Sequence, residues 1–236
     1  SANDIYNSFS PSVIKGGLDD QGEKDSSEIP VLGVNTGRLG FIASVSANQI
    51  DESINDIIKD NYEINERILL ELNTSNELFK HKNFALNEVA VSKKDTSSMI
   101  KIDAFIDDQF LNTYWADGLV VSTPTGSTGY SLSNGGSVVS PESKVIILNP
   151  IAPHNINMRS LIIPDDSEVK IQVDGTDNIN LSLDSRMYSF ESKNEIQISK
   201  SKFTIKTIKL DEDNFYKRLR EKLFWGQDMR NNKISG

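Results

Sequence analysis

From Tyr62 to about residue 208 the chain is written in period two, and this limits it to sheet over most of its length. Ile102, Ala104 and Ile106 alternate with polar residues and run into Asp107-Asp108, a pair suited to a hairpin turn. Val169, Ile171 and Val173 do the same ahead of Asp174-Gly175, and Ile179, Leu181 and Leu183 follow as a strand expected to pair with them. Ile196 and Ile198, then Phe203 and Ile205, extend the pattern. Strands with one apolar face must bury it against another such face, so the segment predicts short antiparallel strands in a sandwich-like domain.

The two ends follow other patterns. Ile29 to Val34 is a short apolar run bounded by turn signals and predicts a buried strand. Ser46 is placed to cap a helix whose apolar positions, Ile50, Ile54, Ile57 and Ile58, fall on one face. Phe215, Leu219 and Leu223, spaced by four, predict a final helix from Asp213 to Trp225. Residues 1–28 are polar, contain GGLDDQGEKDSSE, and are expected to be poorly ordered or part of something larger. The elements alone give an α+β chain with room for two domains in its 236 residues.

Charge and composition narrow the partners. The formal net charge is -9 and the pI about 4.8, so the basic face of a duplex-binding protein is missing and no nucleic-acid partner is expected. An acidic protein that binds anionic nucleotides must instead supply Lys, Arg, metal ions or backbone N–H groups locally. Cysteine is absent, which removes disulfides and thiolate metal sites and is compatible with the cytosol. No apolar run approaches the ~18–20 residues that span a bilayer, and the first residues lack the order of a secretory signal. No membrane partner and a cytoplasmic location are therefore expected.

The richest chemistry lies in Ala116 to Gly136, ADGLVVSTPTGSTGYSLSNGG. Leu119, Val120 and Val121 form a strand, residues 123–129 a turn of Thr, Pro, Gly and Ser, and a helix start follows. A turn this small lets backbone N–H groups and hydroxyls approach a ligand, and a helix N-terminus behind it favours anions. Taken alone it is also an ordinary glycine-rich connection.

Two further motifs accompany it: VLGVNTGRLGFI over residues 31–42 and ALNEVAV over 85–91. This trio, in this order, resembles the NAD kinases, which phosphorylate the adenosine ribose 2′-hydroxyl of NAD to make NADP. NPIAPHNINMRSLIIP (149–164), LSLDSR (181–186) and FYKRLREKLFWGQD (215–228) extend the likeness to roughly residues 29–228. The resemblance implies an N-terminal α/β, Rossmann-like domain, incomplete here, over 1–61 and 209–236. It implies a β-rich NAD-binding domain over 62–208 and a C-terminal helix returning to the first domain. ATP (or another phosphoryl donor) and NAD are the implied substrates, with Mg²⁺ or another divalent cation, and a homodimer or homotetramer is the implied assembly. A lipid-type kinase or a non-catalytic NAD(P)-binding relative is the alternative.

Candidate site residues follow by matching. Asn87 offers amide donors and an acceptor and ionised Glu88 offers acceptors; side by side they could read a base edge or ribose hydroxyls, or serve as a turn Asn and a solvated Glu, and the family places this pair on NAD. Asp117, at a strand start, is implied in the NAD site, as are Thr125, Thr128, Gly129, Tyr130 and Ser133, with a core role for Tyr130 as the other possibility. Many relatives carry Ala where Gly129 stands. The NTGRLGF turn brings Asn35, Gly37, Arg38, Gly40 and Phe41 to the site's border, with Arg38 toward phosphate or on the surface. Asp184 matches the family's D-G-Q or D-S-Q turn, from which Arg186 departs. His154, one of two histidines, has no acid or nucleophile motif nearby and is read as structural.

The family also carries a G-G-D-G-[TN] motif whose aspartate acts as general base. This sequence has none. Gly16-Gly17-Leu18-Asp19-Asp20 is the nearest string and lacks the Gly after Asp, which leaves Asp19 or Asp20 as weak catalytic candidates. The expectation is that residues 15–28 border a break and that the motif belongs to a longer protein.

Overall fold

The structure is a computed structural model that describes residues 29–35, 45–74, 83–94, 99–174, 178–192, 194–210 and 214–224. They form two compact units, one from the described residues of 66–206 and one from those of 30–65 and from 207 on.

The larger unit is a sandwich of two six-stranded sheets. One has the order β10-β9-β8-β5-β12-β13 and the other β4-β3-β14-β11-β6-β7. The strands are β3 (Tyr62–Thr74), β4 (Phe84–Ala85), β5 (Glu88–Lys93), β6 (Ile100–Ile106), β7 (Gln109–Ala116), β8 (Gly118–Ser122), β9 (Val145–Ile151), β10 (Leu161–Pro164), β11 (Val169–Asp174), β12 (Asn178–Leu183), β13 (Arg186–Glu191) and β14 (Ile196–Leu210). The core is the alternation made solid. Ile102, Ala104, Val169, Ile171, Ile196 and Ile198 of one sheet share a single buried cluster with Val89, Val91, Leu119, Val121, Ile179, Leu181 and Leu183 of the other. β8 is buried at all five positions, which is why Leu119-Val120-Val121 is an unbroken apolar run rather than an alternating one.

The Asp107-Asp108 hairpin forms as expected. Both residues adopt positive φ, 50° and 61°, the conformation that two-residue turns matching strand twist require. The expected pairing of Ile179–Leu183 with Val169–Val173 does not form. β11 pairs with β14 and β6, whereas β12 pairs with β13 and β5 in the opposite sheet. Period two fixes which face a residue takes but does not distinguish a hydrogen-bonded neighbour from a strand packed across the core. Both strands contribute side chains to the one buried cluster.

In the smaller unit, β1 (Val34–Asn35) and β2 (Val45–Ser46) pair in parallel, and Val31 bridges Thr207. The expected strand from Ile29 is thus cut to two residues and an isolated bridge. Ser46 forms a capping box with Gln49 over a 3₁₀ turn, and α1 (Ile50–Ile58) follows. Its expected apolar face is only partly covered among the described residues, with Ile50 and Ile57 half-buried. Ser53 is the buried position and its hydroxyl donates to the Gln49 carbonyl at 2.8 Å, while Ile54 and Ile58 are exposed. A last helix (Phe215–Leu223) is capped by the Asn214 side chain, which accepts from the N–H groups of Tyr216 and Lys217. It buries Leu219 as its spacing predicts. No helix among the described residues is long and apolar enough to cross a membrane.

Candidate functional site

The site is assembled at one end of the β5–β8 pair. Antiparallel register sets Glu88 opposite Ser122, so the Asn-Glu pair and the glycine–hydroxyl loop start from the same sheet edge. The loop is a 3₁₀ turn, Thr125–Thr128, followed by a single α-helical turn, α2 (Tyr130–Ser133). The expected helix start forms but runs for one turn only. Gly135, at φ 75°, and the bonds from Gly135 N–H to Leu132 and from Gly136 N–H to Ser131 close it after one turn. With so short a helix the expected dipole effect on anions is correspondingly small.

Buried hydroxyls fasten this loop to the Asn-Glu segment. The Thr123 hydroxyl donates to the Leu86 carbonyl at 2.6 Å and accepts from Gly126 N–H at 3.0 Å. The Asn87 carbonyl accepts from Thr123 N–H at 2.9 Å and from the Ser122 hydroxyl at 3.2 Å. Contact is so close that a Cβ on Gly126 would lie 2.1 Å from the Asn87 oxygen. Further along, the Ser127 hydroxyl exchanges bonds with Val139, and the Asn149 amide donates to the Ser131 and Asn134 carbonyls behind α2.

Glu88 is the unusual group. It is buried, it takes a backbone bond from Tyr130, and its Oε2 has no partner. A Cβ on Gly129 would sit 3.1 Å from that oxygen, so the glycine leaves room beside the carboxyl that a side chain would crowd. Burial, then the nearby Asp184 charge, push Glu88 up to about 7, against the Tyr130 bond. Asp184 sits at positive φ in the β12–β13 turn. Its carboxylate accepts from the N–H groups of Leu86 at 3.0 Å, Asn87 at 2.7 Å and Glu88 at 3.2 Å. Burial also raises this carboxyl; the three N–H donors and Arg186 work against the rise.

The structure therefore brings Asn87, Glu88, Thr125, Thr128, Gly129, Tyr130 and Asp184 to one sheet end. Tyr130 and Ser133 are exposed, which sets aside the core role weighed for Tyr130. Asp117 is not part of this cluster within the chain. It lies at the opposite end of β8, roughly 16 Å from Ser122 at ~3.3 Å per residue, where its carboxylate meets Lys93 Nζ at 2.7 Å. Gly118 beside it is enforced by packing, since a Cβ would come within 2.3 Å of the Val91 carbonyl. Arg186 donates to the Phe84 carbonyl and lies over the Phe84 ring at 5.6 Å, so the departure from the family turn is absorbed locally. His154 is exposed, and its N–H donates to the Trp115 carbonyl at 2.8 Å. Asn35 enters β1 by its backbone; Gly37, Arg38, Gly40, Phe41, Asp19 and Asp20 lie outside the described residues. Sequence reasoning missed Ser122, Thr123 and Asn149. The signal for Asn149 is present, a lone amide in the apolar run VIILNPI, which a buried strand tolerates only with its hydrogen bonds satisfied.

An α+β chain whose sandwich gathers an amide, a carboxyl and a hydroxyl loop at one sheet end has the features of a nucleotide-handling protein. Comparison with known proteins specifies which. Residues 86–210 match the ATP-NAD kinase C-terminal domain and residues 21–62 the ATP-NAD kinase N-terminal domain. NAD kinase of Flavobacterium johnsoniae is 48% identical over 87% of this chain and 71% of its own length. That of Bacteroides fragilis is 40% identical over 86% and 70%. A crystal structure of yeast NADH kinase complexed with NADH superposes with a TM-score of 0.77 at 29% identity, over 85% of this chain and 60% of that one. An NAD kinase from Archaeoglobus fulgidus in complex with ATP gives 0.70 at 25%, over 83% and 74%. The chain belongs to the NAD kinase family and is by that membership a kinase, a transferase.

Proposed function

We propose that the chain carries the NAD-recognition domain of an enzyme that moves a phosphoryl group from ATP to the adenosine ribose 2′-hydroxyl of NAD, giving NADP. The observation that carries the reading is Glu88: a buried carboxyl with one oxygen unpartnered, close against Gly129. A buried polar atom left without a partner is costly, and a ribose hydroxyl or base amine would satisfy it. Asn87 at its side, the hydroxyls of Thr125, Thr128 and Ser133, and the exposed Tyr130 ring complete a polar, one-sided surface for the nucleotide. By the resemblance, Asn35, Gly37, Arg38, Gly40 and Phe41 are proposed as further NAD-binding residues, and Asp117 contributes from the far end of β8. The complexes with NADH and ATP seen among similar proteins support both substrates.

Among the described residues no three of His, Cys, Asp and Glu come together as a cation cage. A divalent ion is proposed to arrive on the ATP phosphates, the usual way Mg²⁺ is held. The domain assignment, 62–208 for NAD and 1–61 with 209–236 for the α/β part, belongs to the same reading. So do a homodimer or homotetramer and a cytoplasmic location; all three rest on the resemblance.

The test is NADP formation from NAD, ATP and Mg²⁺, read through an NADP-specific dehydrogenase, together with calorimetric binding of NAD to this chain. Binding is expected. Undetectable binding of NAD and NADP at millimolar ligand would sink the reading.

A further inference from the structure

Three successive backbone N–H groups, those of Leu86, Asn87 and Glu88, converge on the one carboxylate of Asp184. This is not strand geometry. In a strand successive N–H groups point to opposite sides, whereas convergence on one point makes a concave anion-binding nest. Residues 86 and 87 accordingly bend out of β5, which begins at Glu88.

The bend is fixed from both sides. On its carbonyl side stand the Thr123 and Ser122 groups. On its N–H side, among the described residues, stands Asp184, whose own N–H returns a bond to the Glu88 carbonyl at 2.9 Å. Asp184 holds this place at φ 50°, a region that non-glycine residues adopt at a cost. Its oxygens are already engaged: Oδ1 accepts twice and Oδ2 once. That leaves little of the carboxylate to read a ligand. We infer that Asp184 is a positioning residue, its carboxylate closing the nest over residues 86–88 and so fixing the orientation in which Asn87 and Glu88 meet NAD.

The inference rests on the proposed reading for the ligand, and the test separates the two. NAD binding is measured by calorimetry on the whole chain carrying Asp184→Asn, Glu88→Gln and both. Asp184→Gly serves as a second variant, because glycine accepts the left-handed turn while removing the carboxylate. Amide hydrogen exchange is followed at residues 86–88 in each protein.

Each Asp184 variant is expected to weaken NAD binding about ten-fold or more. The double variant with Glu88→Gln should be little weaker than the worse single one, since Asp184 acts through Glu88. Exchange at residues 86–88 should speed up while Val120 and Leu148 stay protected. Multiplying losses, as from two independent ligand contacts, would overturn the inference, and so would unchanged exchange at 86–88. If the unsubstituted chain fails to bind NAD, the proposed function falls, and the exchange result still decides whether Asp184 holds the nest.

Discussion

β5 and β8 lie side by side, and their two ends treat a carboxylate in opposite ways. At one end Glu88 is buried among backbone groups, with Asp184 as its charged neighbour and one oxygen unpartnered. At the other, Asp117 stands half-exposed against the Lys93 ammonium. The strands are the same; the surroundings differ. The Glu88 end is closed by a loop folded back over the sheet through Ser122, Thr123 and Gly126, which excludes water and makes an ionised carboxyl expensive. The Asp117 end is an ordinary surface turn in which a lysine and solvent share the charge. Folding stability should therefore depend strongly on one end and weakly on the other, and the substitutions below test that ranking.

The largest effect is expected at Gly126. An alanine there would place its Cβ 2.1 Å from the Asn87 oxygen and 2.6 Å from the Ser122 hydroxyl, and neither is a flexible side-chain tip free to move away. Gly126→Ala should destabilise the chain by about 3 kcal/mol or more, as a steric insertion into a packed, hydrogen-bonded loop does, and should abolish NAD binding. Chemical denaturation checks it. A loss below about 1 kcal/mol would show the loop to be loosely seated and erase the contrast between the two ends.

Glu88→Gln comes next, and its sign reverses with function. Because the carboxyl titrates near 7 in the fold and near 4.5 in the unfolded chain, folding takes up a proton between those values. The penalty is absent below about pH 4.5, grows as pH rises, and is complete above about pH 7, where it amounts to on the order of 3 kcal/mol. Asp184, also raised, adds in the same direction. The glutamine variant should be more stable than the parent at pH 8, indistinguishable near pH 4.5, and poorer in NAD binding at both. Parallel stability curves from pH 4.5 to 8 would mean that Glu88 is solvated, and the two ends alike.

This contrast also marks what the sequence made legible. The chain's motifs located the Asn-Glu pair and the hydroxyl loop because such polar residues at strand ends are short, local patterns. Alternation located the core faces of β6, β11 and β12 for the same reason. Pairing was not legible: β12 joins β5 across the sandwich because loop paths and twist choose the neighbour, and neither is written in a six-residue pattern. Asp117 was placed correctly at the start of β8, but its partner Lys93 comes from β5 and is written in no local pattern. Tyr130 fared similarly; a tyrosine on a helix faces core or solvent according to packing that only the closed loop defines.

Gly129→Ala should have a smaller effect. The added Cβ would stand 3.1 Å from Glu88 Oε2 and 3.2 Å from the Gly126 oxygen, tight contacts relieved by shifts of a few tenths of an ångström. A stability change within about 1 kcal/mol is expected. The methyl would also add apolar bulk beside the carboxyl and further disfavour its ionised form, so the midpoint of the pH-dependent stability should move upward. A midpoint that stays in place would show that Gly129 does not border the Glu88 oxygen.

The smallest effect belongs to the other end. Asp117→Asn removes the partner of Lys93 from a site where both side chains reach solvent, and exposed pairs of this kind contribute about 0–1 kcal/mol. The loss should shrink further at 1 M salt, where screening acts over ~3 Å. Combining it with Lys93→Met should give nearly the same stability as Asp117→Asn alone, because either change dissolves the pair. The backbone bonds that hold this turn, from Lys93 N–H to the Asp117 carbonyl and from Asp117 N–H to that of Ile151, survive both substitutions. A loss above about 2 kcal/mol that ignores salt would mean that Asp117 is buried in the working protein. The asymmetry between the ends of β8 would then belong to the isolated chain and not to the assembly in which it acts.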